Sequence, residues 1–106
     1  MYKLCFYVPK SHLDIVKSAV FHAGAGRIGD YDQCCWQTKG EGQFRPLDGS
    51  NPFVGELGAI ETVEEFKVEM VCDDEFIENV IKTLKDTHPY EEPAYDVWKL
   101  AELKVR

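Results

Sequence analysis

Basic charge is what this sequence has least of. Its 12 Lys and Arg stand against 19 Asp and Glu, a formal net charge of -7 over 106 residues. Phosphate backbones are gripped by clustered Lys and Arg, so the deficit argues against nucleic acid as a partner. It argues equally against an anionic membrane surface. Long apolar runs are missing too, and none approaches the roughly 20 residues of a membrane span. The opening segment, Met1 to Val8, is too short and too strand-like for a signal peptide. Cysteines are only four, Cys5, Cys34, Cys35 and Cys72, with neither a C-x-x-C pair nor zinc spacing. Reduced thiols in a cytoplasmic protein are expected. There is no P-loop, no H-E-x-x-H and no Ser-His-Asp order. No cysteine has an identifiable histidine base, so no catalytic residue is assigned and no enzyme is expected.

What is present has a clear period. Tyr2 to Val8 alternates as a strand closed by Pro9. Ser11 with Asp14 reads as a helix N-cap, followed by Leu13, Val16, Val20 and Ala23 at helical spacing. Gly24 and Gly26 stop that helix. Tyr31 to Lys39 reads as a second strand, Gly40-Glu-Gly42 as a turn, and Gln43 to Arg45 as a return strand completing a small hairpin. Pro46 to Gly58 is irregular, and loops of that length are usually functional or mobile. Glu65 to Cys72 is the clearest strand. Asp73 or Asp74 caps a helix striped by Phe76, Ile77, Val80, Ile81 and Leu84, which ends before His88-Pro89. Tyr95 to Leu100 is a last strand, and Ala101 to Arg106 a polar tail.

The order β-α-β-(hairpin and loop)-β-α-β predicts a single α+β domain over residues 1–106 with the ferredoxin-like split β-α-β arrangement. Right-handed crossovers place two helices on one face of a four-stranded antiparallel sheet. The other face carries Lys3, Cys5, Tyr7, Lys67 and Glu69, and its mixed character makes it a candidate subunit interface.

Two motifs carry possible chemistry. Gly24-Ala-Gly26-Arg27-Ile-Gly29 fits G-x-G-x-x-G, but it follows a helix and precedes a strand, which is the wrong context and dipole sign for a dinucleotide. It can instead be a C-cap turn, or a nest of backbone N–H groups that receives an anion beside Arg27. His88-Pro-Tyr-Glu91-Glu92-Pro-Ala-Tyr95 concentrates an imidazole, carboxylates and phenols between two prolines. His88, Glu91 and Glu92 are candidate ligands for a divalent metal; the same stretch can equally be a rigid helix-to-strand junction, with His88 at a helix C-terminus.

Taken together, Gly24-Ala-Gly-Arg-Ile-Gly-Asp-Tyr31 with Cys34, Gly40-Glu-Gly-Gln-Phe-Arg-Pro46, Gly49-Ser-Asn-Pro52 with Gly55, Gly58 and Glu61, and His88 to Asp96 resemble the YqfO-type domain of the Nif-three-like (NGG-interacting factor) family. The resemblance spans nearly the whole chain. It implies a fold similar to CutA and PII signalling proteins, whose subunits form trimers. The dinuclear metal site of the full-length proteins lies on flanking regions absent here and does not transfer.

The expectation is a non-enzymatic, self-associating module that binds a small ligand or a divalent metal ion at subunit clefts. Gly24, Gly26, Arg27 and Gly29 are the candidate ligand residues, and His88, Glu91 and Glu92 the candidate metal residues. The alternative is a protein-interaction domain that docks on a separate partner and takes no small molecule.

Overall fold

The computed structural model describes residues 1–105. Strand β1 (Tyr2–Pro9) leads through a short 3-10 turn (Lys10–His12) into helix α1 (Leu13–His22). Strands β2 (Trp36–Phe44) and β3 (Glu61–Cys72) follow, then helix α2 (Ile77–Thr87) and strand β4 (Tyr95–Lys99). The sheet is antiparallel throughout, in the order β2-β3-β1-β4. The expected ferredoxin-like topology is therefore present.

Alternation along the strands explains the layering. Leu4, Phe6 and Val8 of β1 share a face with Val68, Met70 and Cys72 of β3, and all six are buried. Val16 and Val20 of α1 and Val80 and Leu84 of α2 close over them in one cluster. Each such Leu or Phe withdrawn from water contributes roughly 1.5–3 kcal/mol. Among the described residues no helix covers the opposite face, and the register places Tyr7, Glu69, Lys67, Trp36 and Trp98 there. Cys5 lies on that face as expected, yet it is fully buried, flanked in register by Glu69 and Asp96. Burial pushes its thiol pKa up.

Three local expectations are corrected. Gly40 and Gly42 do not turn the chain; β2 runs straight through both to Phe44, and no hairpin returns at Gln43–Arg45. β2 and β3 themselves form one long ribbon, closed by the irregular segment 45–60. Ser11 does not cap α1, because its hydroxyl is 2.8 Å from His12 Nδ1 and the cap position falls to His12. Neither Asp73 nor Asp74 caps α2, which begins after Phe76 with no side-chain cap.

β1 ends opposite Glu65, while β3 begins at Glu61. The outer pairs Glu41–Glu64, Gly42–Val63, Gln43–Thr62 and Phe44–Glu61 therefore form a two-stranded arm beyond the sheet. The molecule is accordingly elongated, 53 × 24 × 23 Å. Among the described residues no helix is long and apolar enough to cross a membrane.

Candidate functional site

The site is built where the arm, the irregular segment and the proline-clamped junction meet. β4 starts opposite Phe6, so the next residue of β1, Tyr7, has no β4 partner. A buried backbone carbonyl or amide left without a partner costs about as much as a lost hydrogen bond. The junction supplies both partners: Tyr7 N–H donates to the Ala94 carbonyl at 3.3 Å, and the His88 ring nitrogen Nε2 lies 2.7 Å from the Tyr7 carbonyl oxygen. The Tyr90 amide donates to His88 Nδ1 at 3.1 Å. With Nδ1 accepting, Nε2 carries the proton and donates to Tyr7. Burial lowers the His88 pKa, which suits a neutral ring held between two backbone groups.

That geometry decides what His88 does. Neither ring nitrogen keeps a lone pair for a cation, and Glu91 and Glu92 are exposed rather than gathered around the ring. Among the described residues no group of three or more His, Cys, Asp or Glu is placed to hold a metal ion. His88 is a pin across the end of the sheet.

The glycine motif is likewise a packing device. Gly24 has φ +120° and a Cβ there would sit 2.6 Å from the Phe76 ring; Gly26 has φ +80° and would meet the Phe21 ring at 2.7 Å. The N–H groups of Gly24, Ala25, Gly26 and Ile28 donate to the carbonyls of Phe21, Val20, Val71 and Tyr31. These amides are not free to form an anion nest. Arg27 lies over the Phe76 ring at 5.7 Å, and Gly29 stands in open space.

Beside the pin lies a pocket of about 490 Å³, within the range of small-molecule sites. Tyr7, Phe44, Pro46, Leu47, Phe53 and Tyr90 give it apolar walls, and Glu65, Glu91, Glu92 and Arg45 also line it. Phe44 and Phe53 pack against Tyr90 with ring centroids 6.1 and 6.3 Å apart. Phe53 also meets His12 edge-on at 5.4 Å. The Asn51 amide donates to a Glu91 carboxylate oxygen at 3.2 Å, tying the irregular segment to the junction. Gly42 admits the Glu65 side chain: a Cβ at 42 would lie 1.8 Å from Glu65 Oε1. Among the described residues the buried Tyr90 hydroxyl has no hydrogen-bond partner at normal geometry. Burial, and then the Glu65 carboxylate beside it, push its pKa up.

Sequence reasoning named Glu91 and Glu92 but missed Tyr7, Phe44, Phe53 and Glu65. Only the fold brings these together, and Gly42, which marks the close approach of Glu65, reads in sequence as part of a turn.

Comparison with known proteins fixes the kinship. No family model matches the chain. It is 46% identical over 101 residues to the GTP cyclohydrolase 1 type 2 homolog of Halalkalibacterium halodurans, covering 95% of this chain and 27% of that protein. The Mycobacterium leprae protein of the same name is 49% identical over 98 residues, covering 92% and 26%. The crystal structure of a Bacillus cereus protein related to NIF3 superposes with a TM-score of 0.81 at 38% identity, covering 95% of this chain and 26% of that one. The chain is homologous to NIF3-related proteins. The resemblance to the YqfO-type domain of the Nif-three-like family is thereby borne out. The chain spans about a quarter of the length of the curated relatives it matches.

The PII-like protein CutA from Nostoc sp. PCC 7120 in apo form superposes with a TM-score of 0.66 at 17% identity, over 94% of this chain and 81% of that one, which shows a shared fold. The expectation of a non-enzymatic protein is corrected: the NIF3-related relatives bear the name of a cyclohydrolase homologue. That expectation rested on finding no nucleophile with a base in a chain that matches only about a quarter of the length of those relatives.

Proposed function

We propose that the chain is a small-ligand-binding regulatory module that assembles with copies of itself, with its ligand seated in the pocket between Phe44, Phe53 and Tyr90. The pocket carries the reading: its size, its aromatic walls and its few inward polar groups suit a small organic molecule. A metal ion is not the ligand proposed, because the His88 nitrogens are spent on the backbone. The open sheet face supports self-association, since Trp36 and Trp98 remain exposed there without a helix to cover them. A trimer is the assembly that the CutA and PII resemblance suggests. In a relative bearing a cyclohydrolase name, such a module would relay ligand occupancy to the catalytic remainder.

The test is a fragment screen followed by amide and aromatic-ring chemical shifts of the labelled chain. Binders are expected to move resonances of Phe44, Phe53 and Tyr90 together. Binders that move only residues of α1 and α2 would dismiss the pocket.

The second reading, docking on a separate protein, draws on the exposed Ile28 and Tyr31 in the connection from α1 into β2. Surface apolar groups of this kind mark interaction sites when contiguous. Ile28→Ser with Tyr31→Ser is expected to leave oligomerisation intact and abolish capture of a partner if that reading holds.

A further inference from the structure

The pocket's charge says more about its occupant than its volume does. Three carboxylates line it, those of Glu65, Glu91 and Glu92, against one guanidinium, Arg45. Among the described residues none of these four forms an ion pair; the pairs present involve Asp74, Glu102, Glu64 and Glu69. Glu91 accepts from the Asn51 amide. Glu65 is half-buried, lying over Gly42 with the Tyr90 hydroxyl as its neighbour. A carboxylate drawn partly out of water is costly unless a cation or several donors meet it. Aromatic walls add to the same preference, because a cation over a ring face is attracted by its quadrupole.

We infer that the pocket takes a small organic cation, an ammonium group carried on a compact apolar body, with the ammonium at Glu65 and the body between Phe44, Phe53 and Tyr90. This rests on the reading of the pocket as the ligand site and names the ligand class. Both ends are required. An ammonium alone leaves the aromatic walls wet, and an apolar body alone leaves Glu65 unmet. The same charges disfavour a phosphorylated ligand: an anion would face three carboxylates for one guanidinium. The ammonium needs no proton from the protein, since ordinary alkylamines are protonated at neutral pH.

Phenethylamine, phenethyl alcohol and phenylacetate share one body and differ in the charge at its end. They are titrated into the full chain at pH 7.5 and low salt, with heat and ring resonances followed. Phenethylamine is expected to bind and shift Phe44, Phe53 and Tyr90, the alcohol at least tenfold more weakly, and phenylacetate not at all. Glu65→Gln is expected to weaken phenethylamine about tenfold, the worth of one charge-assisted contact. Glu92→Gln, at the exposed rim, should weaken it by a smaller factor, and Glu78→Gln on α2 should change nothing. If the alcohol binds as tightly as the amine, or if Glu65→Gln and Glu92→Gln both bind like the parent, the cation assignment falls while the pocket stands. If none of the three compounds moves a pocket resonance, the pocket reading falls with it.

Discussion

His88 Nε2 stands 2.7 Å from the carbonyl oxygen of Tyr7, a residue 81 positions earlier in the chain. Removing that ring leaves the Tyr7 carbonyl and the Tyr90 amide without partners and opens a cavity. His88→Ala is expected to cost about 2–4 kcal/mol of stability, measured by urea unfolding. His88→Asn, which keeps a donor and an acceptor but is shorter, should recover part of the loss.

The same histidine sets a pH dependence. Its folded-state pKa is lowered by burial, so the unfolded chain binds the proton more readily. The stability it contributes is complete above the unfolded value of about 6.5 and is lost as the pH falls through the depressed folded value. Melting temperature should therefore drop between pH 7.5 and pH 5. In His88→Asn that drop should be smaller.

Gly24 and Gly29 separate packing from backbone strain. Both have positive φ, but only Gly24 has a ring in the way of a Cβ. Gly24→Ala is expected to cost about 2–4 kcal/mol, from strain plus overpacking. Gly29→Ala should cost about 1 kcal/mol, the penalty of a left-handed alanine alone. Equal losses would remove Phe76 from the explanation.

Gly42→Ala tests the seat of Glu65. An added methyl occupies the volume of the Glu65 carboxylate, and that flexible side chain must swing out. The sheet should tolerate the change, while the Tyr90 phenol, relieved of its acidic neighbour, should titrate at lower pH than in the parent. Ultraviolet tyrosinate titration reads this directly.

Trp36→Glu tests the open face. Trp36 lies opposite Glu69 at the outer edge of the sheet, and a glutamate there sets like charges side by side. Sedimentation velocity is expected to show an oligomer for the parent and monomer for the variant, with unchanged far-ultraviolet circular dichroism.

The fold was legible because both helices and three of the strands announce themselves by period. Leu13, Val16 and Val20, and Ile77, Val80 and Leu84, are buried as their spacing demands. β2 was misread because glycine has two uses that look alike in sequence: permitting a turn and admitting a close neighbour. Gly42 serves the second. The junction's residues were visible, but the role of His88 was not, since it depends on a strand ending one residue short of Tyr7. The pocket was illegible for the same reason: Phe44, Glu65 and Tyr90 come from three separate stretches of chain.

The two-stranded arm has a consequence for how this protein breathes. Beyond Glu65 its rungs have no third strand to hold them, and like charges Glu41 and Glu64 face one another across it. Amide exchange should be fastest there, a local opening far cheaper than global unfolding. Phe44 closes the last rung of that arm and walls the pocket. An occupant would therefore show itself first as slowed deuterium uptake at Gly42 to Phe44, while the amides of β1 keep the rate they already have.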